Sequence, residues 1–533
     1  MKKVGPFLVR ITHILFYLIL VVLFLRVIEK HAKLIVSPLP SEYREASVLL
    51  TTDALLRGEN PYDLDLQPLY TNVYGILYPL IVTPCAAVFG NTLSVHRVVS
   101  GFFIFCACIL VYVVMHKRGV PIAYALAGVF IFYCSCLFFT TPGARPDSCG
   151  LVLFLCSLFI PMLFLFSWGS LAVSILTGVL AFYAKPYFVI GIGYIIIYVF
   201  LFISKKKALI AGAITGMTGI IAVLITRFIG ECYFNNVIAA HINTTSSNPA
   251  FARSQLAMFG MYNLGLVLML AVLGGELLMR KQWYLWRPNK LLLSGIKQTI
   301  HKSFDIRSLQ KPFILHRCGF IVFSFLLSLI LIYGKFGQHA GTWMVYLMQL
   351  LSPFFIPLVT GLIARKRQWH ILWVSLFIFN FFMINKNTGL FNQGEPSSQK
   401  RTVSQWNRIE QLVMRYDTVF NSPAIVSLLM KHNKRVYDSG QTQYFNHAYV
   451  PETVFDFVFI DTGMVKDRYA SYIQSLKNAI ENKTCDALIL TKGRSPLVPE
   501  SFIEQYYSVA DSLPSVMQYT KQSGTLNLWL PLP

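Results

Sequence analysis

The chain has 533 residues, 55% of them hydrophobic and only 13% charged, with a mean hydropathy of +0.56 and a formal net charge of +22. Soluble domains carry about 25% charged residues, so this composition excludes an ordinary soluble protein and indicates a polytopic membrane protein. Of the 46 Lys/Arg and 24 Asp/Glu, 32 and 11 fall before Asn387, and the basic residues there flank apolar runs; this excess reads as positive-inside topology rather than as a nucleic-acid surface.

The elements follow in chain order. Met1-Lys2-Lys3 precedes a long apolar run without a small-residue cleavage site, which predicts a retained helix, Phe7 to Ile28, running outward. The next apolar stretch, Ile76 to Gly90, is short and contains Pro79 and Pro84. A crossing there would place His116-Lys117-Arg118 and Lys205-Lys206-Lys207 outside, so the stretch is expected as an interfacial or half-buried helix. Spans then follow at 98–115, 120–141, 149–167, 171–184, 187–203, 207–228, 257–279, 318–334, 343–364 and 370–386. With the first, that makes about 11 transmembrane helices, with the N-terminus cytoplasmic. The nine Lys/Arg of Arg280 to Arg317 and the group Arg365-Lys366-Arg367 fall inside.

From Asn387 polar helical patterns (Tyr469 to Ile480, Glu500 to Ala510) alternate with short apolar runs (Thr453 to Asp461, Asp486 to Thr491). This alternation predicts a small extracytoplasmic α/β domain over 387–533, with no Gly-rich phosphate loop. The expected fold is thus a polytopic α-helical membrane unit, 1–386, with an outer loop 29–75, followed by that domain. Cys106, Cys108, Cys134, Cys136 and Cys156 lie in apolar runs and read as packing residues, whereas Cys232 and Cys485 fall in external segments, where pairing is open to them but nothing in the sequence demands it. Asn243-Thr-Thr245 and Asn482-Lys-Thr484 match glycosylation acceptors.

Carboxylates are scarce enough to be informative. Six of the eleven acids before Asn387 (Glu42, Glu45, Asp53, Glu59, Asp63 and Asp65) lie in one 24-residue window after the first span. Ser41 to Arg57 reads as a helix between Pro40 and Gly58, with Glu42 and Glu45 sharing a face at i,i+3. Either Glu42 or Glu45 serves as a base toward an acceptor hydroxyl, or both belong to a solvated surface helix. Arg145 in Arg145-Pro146-Asp147 suits bidentate phosphate binding, with Asp147 orienting it, meeting a substrate or simply starting a helix. Lys185, at the Lys185-Pro186 break between apolar half-runs, suits an anionic lipid head group or snorkels to the interface. Lys335 and His339 lie in a short outer loop before Trp343 and Tyr346, aromatics that fit an interfacial belt.

In this order the motifs resemble the GT-C superfamily of integral-membrane glycosyltransferases, in its family 39-like bacterial envelope branch. The likeness is carried by Ser41-Glu42-Tyr43-Arg44-Glu45, Gly58-Glu-Asn-Pro-Tyr62, Val73-Tyr-Gly-Ile-Leu-Tyr-Pro79, Arg97-Val-Val-Ser100, Arg145-Pro-Asp147 and Ala184-Lys185, over about residues 1–205. It implies inverting transfer of a sugar from a polyprenyl-phosphate donor to a glycolipid, polysaccharide or protein acceptor outside the cytoplasm. By that resemblance Glu42 best matches the base, with Glu45 as the other candidate. Arg145, Lys185 and Lys335 would hold the donor phosphate, and Asp147, Tyr62 and His339 would meet substrate. No cofactor is required, no metal ligands are assigned, and a divalent ion is compatible. Three rival readings remain open: a transporter or flippase of lipid-linked sugars, a polysaccharide ligase or polymerase, and a non-catalytic membrane scaffold presenting the α/β tail.

Overall fold

The computed structural model describes residues 4–137, 141–244, 247–279, 306–339, 343–366, 369–388, 396–449, 461–492, 497–514 and 525–533. It is mostly helical, with one small mixed sheet near the C-terminus. The helices of the first part are α1 (Val4–Val36), α2 (Glu45–Leu56), α3 (Leu77–Phe89), α4 (Leu93–Lys117), α5 (Ile122–Cys136), α6 (Asp147–Leu163), α7 (Trp168–Ala184), α8 (Ile190–Phe202) and α9 (Lys205–Ile229). There follow α10 (Ala240–Thr244), α11 (Pro249–Tyr262), α12 (Leu264–Met279), α13 (Ile306–Gly334), α14 (Ser352–Ile363) and α15 (His370–Thr388).

Three described helical stretches are long and apolar enough to cross a membrane: Leu93–Lys117, Lys205–Ile229 and Cys318–Gln338. Their lipid-type surface is evident in large apolar side chains left exposed, such as Phe102, Phe105, Ile220 and Phe228. Seven further apolar stretches among the described residues are shorter, 10–17 residues. The stretch expected to be half-buried is α3, whose 13 residues reach only about 20 Å against a hydrocarbon core of about 30 Å. The stretch expected as one span at 257–279 is instead broken, with α11 and α12 meeting at 83° around Asn263. The bend is held from outside: Asn380 accepts the Leu266 N–H, and a Cβ on Gly265 would meet the Leu376 carbonyl at 2.3 Å.

The tail begins with α16 (Pro396–Arg415) and builds a four-stranded sheet of β1 (Val419–Asn421), β2 (Ala487–Thr491), β3 (Tyr507–Leu513) and β4 (Leu526–Pro531). The order is β1-β2-β4-β3, parallel between β1 and β2 and antiparallel elsewhere. Between β1 and β2 lie α17 (Val426–Lys431) and α18 (Thr462–Glu481), and α19 (Glu500–Ile503) precedes β3. The expected helix Glu500 to Ala510 is therefore corrected: it stops after one turn, and Tyr507 onward pairs with β4. The run Thr453 to Asp461 lies almost wholly outside the described residues. Cys232 and Cys485 are separate buried thiols.

One buried ion pair organises the first part. Arg97 on α4 uses all five guanidinium N–H groups, donating to Glu45 Oε1 (3.1 Å) and Oε2 (2.8 Å) and to the carbonyls of Leu34, Ser37 and Leu39. Glu45 also accepts the backbone N–H groups of Ser41 and Ala144, each at 2.6 Å. One turn on, Ser100 donates to the carbonyls of Gly143 (2.8 Å) and Arg145 (3.3 Å). The end of α1, the start of α2 and the 143–145 turn are thereby tied to α4. Removing one partner of such a pair costs about 3–5 kcal/mol, because the other charge stays buried. Arg97→Met is therefore expected to lower the melting temperature of the detergent-purified protein sharply, whereas Arg57→Ala, at the exposed Asp53 and Glu59 pairs, shifts it little. Equal melting temperatures would contradict this role.

Candidate functional site: a buried cluster of five charges

The saturated pair sets two neighbours in place: Glu42 follows Ser41, and Arg145 follows Ala144. Glu42 precedes α2 rather than lying on it, so the expected shared face with Glu45 does not form. The Glu42 carboxylate meets Arg44 Nε at 2.8 Å and Arg145 Nη1 at 3.1 Å. Arg145 Nε lies 3.1 Å from Asp147, whose other oxygen accepts from Lys185 Nζ (2.6 Å) and Gln349 Nε2 (2.8 Å). Glu42, Arg145 and Asp147 are at most 1% exposed, and Lys185 is 7% exposed.

Aromatic rings line the cations. Tyr74 stands 5.1 Å from the Arg145 guanidinium and 5.2 Å from the Lys185 ammonium, and Tyr187 covers the other side of Lys185 at 5.2 Å. Tyr187 in turn donates to Gln349 and packs edge-on against Tyr346. Burial draws the Lys185 ammonium down to about 8, with Asp147 opposing that shift. His241, on α10, donates from Nε2 to the Val73 carbonyl at 3.1 Å. Burial, reinforced by Lys185, lowers it to about 4, so it is neutral at pH 7.

The cluster differs from the Arg97–Glu45 pair in one decisive respect. Three cations face two carboxylates, which leaves one positive charge over in a buried place. The two charge contacts of Arg145 are close but not aligned as hydrogen bonds. Arg145 Nε and Nη1, Glu42 Oε1, Asp147 Oδ2 and the Tyr74 hydroxyl therefore have no hydrogen-bond partner among the described residues. The two carboxylate oxygens only accept and are held in the 3.1 Å ion pairs, so the donors with bonding capacity left for an anion are Arg145 Nε and Nη1 and the Tyr74 hydroxyl.

Four of the expected site residues thus come together or abut: Glu42, Arg145, Asp147 and Lys185. Glu45 does not join them; its carboxylate is saturated by four donors and faces the scaffold. Tyr62 lies beside the cluster rather than in it: its buried hydroxyl donates to the Tyr74 carbonyl and its ring packs on Tyr233. Lys335 is exposed and has no ion pair among the described residues, although Phe336 beside it packs on Tyr187 and Tyr346. His339 is buried and lies within electrostatic reach of His241. Sequence reasoning missed Arg44, Tyr74, Tyr187 and Gln349; for Arg44 the signal was there, a basic residue between the two candidate acids. Asn243, read as a glycosylation acceptor, has its amide engaged by the carbonyls of His447 and Tyr449. Among the described residues no three His, Cys, Asp or Glu side chains gather as a metal-ligand set.

The tail packs directly against this region. Its apolar core is shared: Leu39, Ala46 and Leu50 pack with Trp406, Ile409 and Ile425, and Val48, Val73 and Tyr74 pack with Phe445, Ala448 and Val465. Arg468 donates to the Gln67 and Asp65 carbonyls, and Asn235 to that of Ala448. The loop and the tail thus form one layer, rather than the loop belonging with the helices alone.

No protein-family model matches the chain, and no curated protein matches it.

Two outcomes follow. Tyr74→Phe removes a hydroxyl without a partner, so the melting temperature is expected to hold or rise, while Tyr74→Leu, which strips the ring from two cations, lowers it. Equal losses would contradict the cation–π role. Asp438 in the tail is buried and pushed up to about 6, by burial against the Gly440 N–H and the Thr442 hydroxyl; the phenols of Tyr469 and Tyr472 also face it. A raised folded pKa contributes stability that is complete below the usual 3.8 and lost as pH rises through about 6. The melting temperature of the wild type, relative to Asp438→Asn, is therefore expected to fall between about pH 4 and about pH 7; parallel curves would contradict it.

Proposed function

We propose that the protein is an integral-membrane glycosyltransferase, in a bacterial inner membrane, that moves a sugar from a polyprenyl-phosphate donor to an extracytoplasmic acceptor hydroxyl with inversion. The observation that carries this reading is the buried surplus cation beside a carboxylate with an unbonded oxygen. An anion answers the surplus, and the carboxylate is placed to take a proton from whatever attacks next to it. A lipid-anchored anion suits a site bordered by the apolar helices α6, which begins at Asp147, and α7, which Lys185 caps. In this reading about eleven helical segments cross or enter the bilayer, with the basic groups near Arg118 and Arg365 inside and the tail outside.

The chemistry follows from the charges. Arg145, Arg44 and Lys185 hold the phosphodiester and stabilise the negative charge that develops on the leaving phosphate. Asp147 keeps Arg145 and Lys185 together. The acceptor O–H loses its proton to Glu42 as the oxygen bonds to the anomeric carbon. The bond from that carbon to the phosphate oxygen breaks, and its electron pair leaves with the lipid phosphate. Phosphate binding draws Arg44 and Arg145 toward the ligand; a carboxylate that loses cationic partners is the better proton acceptor. Two carboxylates already facing three cations fit an anion better than a divalent ion. Glu45 takes no part in the chemistry, because no oxygen of its carboxylate is left to act.

Mass spectrometry of envelope glycolipids and glycans tests this in three strains at matched protein level: a deletion, a wild-type rescue and a Glu42→Gln rescue. One sugar is expected to disappear on deletion and return only with the wild type, the variant being lowered at least about hundredfold. Full restoration by Glu42→Gln would remove Glu42 as the base and favour transport of a lipid-linked sugar.

A further inference from the structure

The tail contributes more than packing to the cluster, and the place where it does so is narrow. Gly440 has φ +81°, and a Cβ there would meet the Tyr43 carbonyl at 2.8 Å, so this residue rides on the backbone between Glu42 and Arg44. The next residue, Gln441, is fully buried and its Oε1 accepts the Val73 N–H at 2.7 Å, one residue before Tyr74. Gln441 therefore sits where the two segments that supply Glu42, Arg44 and Tyr74 come together. Its side-chain NH2 has no hydrogen-bond partner among the described residues. Tyr444 follows one turn later, its N–H donating to the Gln441 carbonyl, its hydroxyl 3.4 Å from that of Tyr43 and its phenol within the electrostatic reach of Arg44 and Tyr74.

We propose that the tail segment Asp438–Tyr444 is one wall of the charged site, with the Gln441 amide donating to the bound phosphate head group and Tyr444 lining the way in. This rests on the transferase reading above and adds the tail's own residues to the ligand's contacts. A buried amide that spends its oxygen on one site segment and keeps two N–H groups is otherwise an uncompensated loss. An anionic head group beside Arg44 and Tyr74 satisfies it. The same arrangement explains why the tail is docked through Gly440, the residue that lets the chain approach Tyr43 so closely.

Farnesyl phosphate, a soluble polyprenyl phosphate, is the probe, titrated against the full-length protein in detergent and read by its thermal stabilisation. The variants are Arg145→Gln and Gln441→Glu. Gln441→Glu keeps an oxygen for the Val73 N–H but replaces the amide donor by an acid. The expected result is stabilisation of the wild type, none for Arg145→Gln, and an affinity at least about tenfold weaker for Gln441→Glu. If Arg145→Gln abolishes binding and Gln441→Glu binds like the wild type, Gln441 is a structural staple only; this inference falls while the transferase reading stands. If the wild type does not bind, both fall. Should Gln441→Glu fail to fold, a photoreactive benzoylphenylalanine in place of Tyr444, which is partly exposed, decides the matter. Cross-linking to farnesyl phosphate supports the wall, and its absence, with the wild type binding, overturns it.

Discussion

The Arg97–Glu45 pair is the interaction on which the rest depends. Seven hydrogen bonds complete it: five donors on the guanidinium meet two carboxylate oxygens and three carbonyls, and two backbone N–H groups complete the carboxylate. Desolvating two charges is costly, and only complete satisfaction of this kind makes it tolerable. The benefit is geometric. The carboxylate grips the peptide groups immediately before Glu42 and Arg145, so two distant segments are brought to hydrogen-bonding distance of each other at the site.

That pair also supplies the standard by which the neighbouring cluster is judged. Both are buried and both are charged, within the same protein and a few residues of one another. The structural pair is neutral and saturated; the cluster carries one cation too many and several polar atoms with unused bonding capacity. Packing alone gives no reason to retain such an arrangement, because an apolar replacement would be as stable or more so. An anionic ligand gives one. The aromatic faces of Tyr74 and Tyr187 soften the excess charge by only about 1–2 kcal/mol, less than a bound phosphate would.

Much of the site was legible because acids are rare in an apolar chain and each must be accounted for. Glu42 and Asp147 stood out on that ground, Arg145 and Lys185 as cations interrupting apolar runs, and the four meet in space. Glu42 and Glu45 could not be told apart, since the distinction depends on Arg97 and Ala144, far away in sequence. Tyr74 and Tyr187 were hidden among 27 tyrosines, and Gln349 within an apolar run. The tail's part was out of reach for a different reason: composition separates the polar tail from the apolar helices, but the packing joins it to the loop between α1 and α3. Sheet pairing was similarly opaque, as β4 supplies the partner that turns Tyr507 onward from helix to strand. Hydropathy, finally, located the apolar segments but not the break at Asn263, which is set by contact with Asn380.

The central claim is that the surplus buried charge holds a lipid phosphate. Native mass spectrometry of the protein extracted from its own membrane, with its lipids retained, addresses it most directly. The account predicts a polyprenyl phosphate, free or glycosylated, bound to the wild type and lost from a variant combining Arg145→Gln with Lys185→Gln. Only bulk phospholipids on the wild type, or the same polyprenyl phosphate retained by that variant, would contradict it.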